Sequence, residues 1–381
     1  MKSLNEVCDL IKTGKTPPST MEEYFEGDLD WFTPGDFNGV KYLCSSSRKI
    51  SQKALDNKKA SLFPKNSILL NCIGDIGKVG IIKEQASSNQ QITCLKPKPI
   101  LDVNYLYYWF IANKAVLENL SNNAVVPILN NRQLGTVKIP LPPLSTQKKI
   151  AAILDAADAH RQKTKQLLAK YDELAQSIFL EMFGDPVTNP KRWEIKLLKE
   201  CIEKVNKIGK GFTNEKIFYI DISSIDNLKN EIIHHTEYKL EERPSRAQQI
   251  LNKGDILFST VRPNLKNIAI NEVEGNIGST GFFVIRPKTL LKREFIFELL
   301  KLKTVTDYFT GITSGANYPA LKSSDISDFR IPIPNESLQI KFAGAIQRID
   351  ESKRILQGQF QNSENLFNSL LQKAFKMELV K

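Results

Sequence analysis

Three histidines and five cysteines are the whole supply of imidazoles and thiols in these 381 residues. His160, His234 and His235 show neither the spacing of a tetrahedral metal site nor that of a catalytic triad. Cys8, Cys44, Cys72, Cys94 and Cys201 are odd in number and scattered, without a C-x-x-C pair. That argues against a disulfide framework or zinc ribbon and points to a reducing compartment. No apolar run approaches the length that crosses a bilayer, and the opening MKSLNEVCDL is too polar for a signal peptide. A cytoplasmic setting, with no membrane partner, is the expectation.

Catalytic signatures are equally scarce. KTGKTPP (12–18) ends like a phosphate-binding loop, but Asp9 stands where the first glycine belongs and Pro17-Pro18 would stop the required helix. It reads as a surface turn. IGDIGKVG (73–80) lies between two apolar runs and suits a hairpin, not a dinucleotide turn. The Asn/Asp-Pro-Pro-aromatic stretch of an adenine methyltransferase is missing. Asp255 in KGDILF resembles a nuclease carboxylate, yet Ser67 occupies the aligned place in the first half. No catalytic residue, metal site or cofactor is therefore assigned to this chain.

What the sequence does hold is bulk, charge and a repeat. Its length fits two or three domains, and 41% hydrophobic residues supply real cores. A net charge of +11 suits an anionic partner, or equally a lysine-rich solvated surface. IPLPPLSTQKKIAAILDAAD (139–158) returns as IPIPNESLQIKFAGAIQRID (331–350). KNSILLNCIGDIGKVGIIK (65–83) parallels KGDILFSTVRPNLKNIAIN (253–271), and NQQITCLKPK (89–98) parallels STGFFVIRPK (279–288). WFTPGDF (31–37) aligns with YIDISSI (219–225), and VVPILNNRQLGTVKIPLP (125–142) with NYPALKSSDISDFRIPIP (317–334). The order is kept throughout, which marks a tandem duplication.

Each half closes with a seven-residue apolar repeat. Ile150, Ala157, Thr164, Tyr171 and Ile178 form one series, with Ile153, Leu154, Leu167, Leu168, Leu174, Ala175 and Met182 beside it. Phe342, Ile349, Leu356, Ser363 and Leu370 form the other, with Ile346, Phe360, Leu366 and Phe367. Such heptads predict supercoiled helices, capped at Ser145 and Ser337, the first stopping near Phe183-Gly184-Asp185-Pro186. The predicted fold class is α+β: two tandem β-rich domains related by pseudo-two-fold symmetry, separated by two long antiparallel coiled-coil helices. The boundaries are 1–144 for the first domain, 145–185 for the central helix, 186–336 for the second domain and 337–381 for the distal helix. The polar seam positions His160, Thr164, Ser352 and Ser363 either set register or face water.

Two similar domains about a two-fold axis meet equivalent faces of duplex DNA at separate places. Their scaffolds match while their polar loops diverge, which suits two different half-sites and an unread gap between them. On these motifs the chain resembles the specificity subunit of type I restriction–modification systems, HsdS, over essentially its full length. The resemblance implies that the two β-rich domains are target-recognition domains, which together recognise a bipartite, asymmetric double-stranded DNA sequence. It also implies assembly with two modification and two restriction subunits, which would hold the S-adenosylmethionine, ATP and Mg chemistry.

Candidate DNA-reading residues follow from side-chain chemistry on the aligned loops. In the first domain these are Lys78, Asn89, Gln90, Gln91, Asn130, Asn131 and Arg132, with Arg48, Lys49, Lys58 and Lys59 as phosphate contacts. In the second they are Arg243, Arg246, Arg262, Asn264, Lys266, Asn317, Tyr318 and Lys322. The helices' outward faces are expected to carry Lys148, Lys149, Arg161, Lys163, Lys165, Arg348, Lys353 and Arg354. Two other classes stay open on the residues alone: a coiled-coil adaptor that never meets DNA, and a self-contained methyltransferase or nuclease with a cryptic site. A system that modifies without cleaving would use the same architecture.

Overall fold

The computed structural model describes residues 1–121, 125–314 and 319–380, which divide between two compact units. The first takes residues 1–165 together with 359–381, and the second takes residues 166–358.

In the first unit a five-stranded sheet runs in the order Cys8–Thr13, Ile92–Pro97, Ser67–Asn71, Val79–Ile82, Tyr42–Leu43. Its central strand, Ser67–Asn71, is buried along its whole length, so Ile68, Leu69 and Leu70 follow one another without the polar alternation of a half-exposed strand. The glycine-rich segment after it is the expected hairpin: Asn71 N–H donates to Lys78 O at 2.8 Å and Gly77 N–H to Asn71 O at 3.0 Å. A smaller sheet joins Lys49–Ile50, Leu29–Phe32 and Ser87–Ser88. Tyr105, Leu106 and Phe110 of the helix Val103–Ala112 fill the core between sheet and long helices.

The second unit keeps part of this plan, in a three-stranded sheet (Ile268–Ile270, Ile256–Ser259, Phe282–Ile285) and a four-stranded one (Thr236–Lys239, Lys216–Ile220, Ile277–Ser279, Ala247–Ile250), and some single contacts recur. Trp31 pairs with Ser87 in parallel, and Tyr219 pairs with Ile277 likewise. Lys98 Nζ donates to Glu6 O at 2.8 Å, and its counterpart Lys288 donates to Glu200 O at 2.9 Å. Phe179 and Phe183 pack on Phe295 and Phe342 with ring centroids 4.8 to 5.5 Å apart, anchoring both long helices to this core. Asp255 is buried and faces Arg286 through two bonds of 2.8 and 2.7 Å while also accepting Asn252 N–H at 2.8 Å. This carboxylate is bound into the frame of the domain.

The long helices run Leu144–Phe183 and Glu336–Phe375, 40 residues each, or about 60 Å. Gly184, at φ +76°, ends the first, its N–H returning to Leu180 O at 2.9 Å. Their starts differ from expectation by a residue or two. Pro143 O receives Thr146 N–H at 2.9 Å, placing Ser145 inside the first turn. Asn335 Oδ1, not Ser337, caps the distal helix by accepting Leu338 N–H at 3.0 Å. The helix continues through Gly358 without a break.

Within each unit the two helices pair antiparallel. Arg161 meets Glu364 at 3.1 Å and stacks 4.3 Å over Phe367 in the first, and Asp172 accepts from Lys353 Nζ at 2.6 Å in the second. Arg161 and Lys353 are thus seam residues, not members of the outward faces. Their long stems let charge reach across the helix pair while the flanks stay apolar. Thr164 and Ser363 are buried and satisfied locally, donating to His160 O at 3.0 Å and Gln359 O at 2.8 Å. Ile153, Leu167, Leu174 and Leu366, expected beside the seam, are exposed instead.

A pair of glutamines fixes each helix to its domain. Gln147, 0% exposed, accepts Asp102 N–H at 2.9 Å and donates to Ile100 O at 2.9 Å and Pro142 O at 2.8 Å. Gln339, 1% exposed, accepts Lys292 N–H at 2.9 Å and donates to Leu290 O at 3.1 Å and Pro334 O at 2.9 Å.

Candidate nucleic-acid interface

A small outer layer of the first unit carries Arg48, Lys58 and Lys59, all exposed. Tyr24, Trp31, Ile50, Ala54 and Ala60 form a separate apolar cluster beneath it. Trp31 is held on two sides, its backbone N–H donating to Ser46 Oγ at 2.9 Å and its indole N–H to Lys15 O at 3.1 Å. The guanidinium of Arg48 lies 4.4 Å over Phe25 and 5.1 Å over Trp31. After the short helix Gln52–Asp56, Lys58 takes up a left-handed turn at φ +55°, leaving Lys58 and Lys59 exposed.

Beside this turn the KTGKTPP segment folds inward. Gly14 N–H donates to Ile92 O and Lys15 N–H to Ser88 O, both at 2.9 Å. A Cβ on Gly14 would stand 2.3 Å from Ser88 O and Asn89 O, so only glycine permits this approach. Thr16 then bonds Gln90, and Lys15 Nζ reaches Lys58 O at 3.2 Å. Gly14, Lys15, Thr16, Lys58, Lys59 and Gln90 line an open recess of about 410 Å³. Its charged lining is lysine alone, an anion-attracting surface beside an amide that can pair with a base edge.

A recess of the second unit shares one aligned position with it. Thr280, the counterpart of Gln90, lines a cleft of about 450 Å³ with Lys199, Lys204, Lys207, Gln249 and one carboxylate, Glu203. Lys15, Thr16, Lys204 and Lys207 were not among the residues expected from sequence. The alignment of NQQ with STG was the available signal, but the partners of those loops come from the far ends of each domain.

The turn Arg262–Lys266 projects elsewhere on this unit. Arg262 and Lys266 flank the 3-10 segment Pro263–Leu265 at φ +50° and +53°, and Asn264 is exposed. Asn227 and Asn230 hold the turn by donating to Leu265 O at 2.9 Å and Lys266 O at 3.0 Å. Lys266 Nζ donates to Lys301 O at 3.0 Å, and burial, with the charge of Lys301, pushes its ammonium below the ordinary lysine range. Arg246 and Lys322 are exposed, whereas Arg243 donates to Leu240 O at 2.8 Å. Asn317 and Tyr318 lie outside the described residues.

Comparison with known proteins decides what this scaffold is. The profile of the type I restriction modification DNA specificity domain matches residues 1–170 and again 190–362. The chain belongs to that family. The MjaIX type I restriction enzyme specificity subunit of Methanocaldococcus jannaschii is 27% identical over 100% of this chain and 92% of its own length. The S subunit of a type I restriction–modification system from M. genitalium shares the fold, with a TM-score of 0.56 at 18% identity over 98% of this chain and 95% of that one. A chain from the structure describing complex assembly and conformational transition of the type I R-M system gives 0.55 at 15% identity, covering 99% and 97%.

In this specificity subunit several of the remaining loop residues also bond within their own domain. Lys49 pairs with Asp30 at 2.8 Å and Lys78 with Asp75 at 3.2 Å. Asn89 is buried, its amide donating to Gln91 Oε1 at 2.9 Å, while Gln90 between them is exposed. Asn130 caps the helix Asn131–Thr136 by accepting Gln133 N–H at 2.9 Å. Asn131 accepts from Thr13 and Thr93 at 3.1 and 3.0 Å, while Asn130 and Arg132 are exposed. Among the described residues no helix is long and apolar enough to cross a membrane.

Proposed function

We propose that this type I specificity subunit reads a bipartite, asymmetric double-stranded DNA target, one half-site per domain. The observation that carries this reading is that one aligned loop position faces a lysine-bearing recess in each domain and holds a different polar residue, Gln90 or Thr280. Lysines supply sequence-independent attraction to phosphate, and the residues that differ supply different base preferences. The 40-residue helices fix the unread gap, which at about 60 Å is at most about 17 steps of 3.4 Å.

On this reading the helices also dock two modification subunits, with two restriction subunits completing the complex. Exposed Ile153, Leu167 and Leu174 on the central helix and Ile340 and Ile355 on the distal one support docking, since solvated helices rarely carry so many apolar side chains outward. S-adenosylmethionine, ATP and Mg then belong to those partners. Base-by-base methylation mapping in cells expressing this chain with its modification subunit tests the proposal. A two-part motif that depends on this chain is the expected result, and exchanging residues 1–140 must change one half only. Methylation independent of the chain would overturn it.

A further inference from the structure

Arg48 entered as a phosphate contact, but its setting fits a different task. Phe25 and Trp31 meet edge-on, with ring centroids 5.8 Å apart and planes at 77°, and the Arg48 guanidinium sits in the corner they form. Among the described residues no hydrogen bond or ion pair reaches that guanidinium, although the side chain is exposed. Its neighbour Lys49 is already paired with Asp30. The indole that supports Arg48 also donates to Lys15 O at 3.1 Å, so the arginine stands one ring away from the lysine-lined recess.

A phosphate accepts a guanidinium fork too, but the charge it needs is already supplied next door by Lys15, Lys58 and Lys59. Contact with two rings set at 77° does something else. It confines the guanidinium before any ligand arrives while the side chain stays exposed. A planar fork of donors at a fixed angle matches two acceptors at a fixed spacing, and guanine presents O6 and N7 in the major groove. We infer that Arg48 is a specificity-determining residue that reads a guanine in the half-site of the first domain. This inference rests on the proposed DNA-reading function and adds a base identity to it.

The test is methylation mapping of the full chain, co-expressed with its modification subunit, as wild type, R48A and R48K. The wild type is expected to require a G·C pair at one position of the half-site that follows residues 1–140. R48A and R48K should both make that position degenerate, discrimination falling about ten- to a hundredfold, with the other half-site unchanged. R48K is decisive because it keeps the charge and loses the fork. Wild-type methylation and motif in R48K would reduce Arg48 to a phosphate contact and overturn the inference. So would a first half-site lacking any G·C pair, or complete loss of methylation in R48K with an unchanged melting temperature, since a lost base contact relaxes a motif rather than ending it. Failure of the underlying reading is seen separately, as the absence of any two-part motif in the wild type.

Discussion

Gln147 Oε1 accepts the backbone N–H of Asp102 at 2.9 Å, tying the first turn of the central helix to the loop before Val103–Ala112. The amide also donates to Ile100 O and Pro142 O, so one buried side chain completes three backbone groups. Gln147→Ala leaves all three without a partner, and about 3 kcal/mol of stability should be lost from the first unit. Gln147→Glu should cost more, because a carboxylate faces two carbonyl oxygens. Urea titration of the two variants checks this. A change below about 0.5 kcal/mol for Gln147→Ala would show that the latch is dispensable.

Asp255 and Arg286 predict a non-additive pair. Asp255→Ala strands a guanidinium that is mostly buried, and about 3–5 kcal/mol should be lost. The double variant Asp255→Leu/Arg286→Met should recover much of that, since no unpaired charge then remains inside. A double-mutant cycle by chemical denaturation measures the coupling. Additive losses would contradict the ion-pair assignment.

Acid should loosen the outer layer that carries Arg48 before it unfolds the first core. Burial alone would raise the Asp30 carboxyl, but hydrogen bonds from Lys49 and Ser46 together hold it below the ordinary range. Asp36 is held low in the same way by Ser47 and Thr33. A carboxyl depressed in the fold adds stability above its unfolded value of about 3.9 and loses it as pH falls through the folded value. Protection of the Trp31 and Ser46 amides against hydrogen exchange, taken relative to the intrinsic rate at each pH, should therefore fall below about pH 4. Asp30→Asn should already exchange fast at pH 7 and respond less to acid.

Thiol labelling should find one site. Burial pushes Cys8 and Cys94 up to about 12 and Cys72 to about 11, and Cys201 is buried as well. Cys44 is exposed. Iodoacetamide at pH 8 should modify Cys44 in the native chain and all five thiols in urea, read by mass spectrometry. Labelling of a second cysteine at a comparable rate would mean that part of a core opens readily.

The recess lysines should act through salt. Substituting Lys15, Lys58 and Lys59 by Ala, singly, should weaken cognate and unrelated DNA alike and lower the log–log salt slope by about 0.9 each. A variant that changes the motif instead of the slope would be a base reader.

The long helices were legible because heptads report one-dimensional periodicity, which a helix preserves. The domains were legible through duplication, down to the hairpin after Ser67–Asn71. Both glutamine latches stood in plain view as identical residues in a diverged block. Their role was hidden because their partners are backbone atoms, which sequence does not distinguish. Arg161 and Lys353 were misplaced because charge at a helical position predicts solvent, and a neighbouring helix can meet that charge just as well. Asn89, Asn130 and Asn131 show the same limit: an amide suited to a base edge is equally suited to capping a turn. Lys15 could be joined to Lys58 and Gln90 only in three dimensions.

The division of the distal helix bears on how the protein is made. Phe367, Leu371 and Ala374 are core residues of the unit that begins at Met1, and they follow Lys165 by some two hundred positions. During synthesis at roughly 5–20 residues per second, the first domain emerges and waits about 10–40 s for that strip of helix. In that interval Tyr108 and Ile150 lack part of their cover, and the second domain emerges beside them. The domain translated first is thus the one completed last, and a ribosome that stops short of residue 359 leaves its damage at the opposite end of the chain.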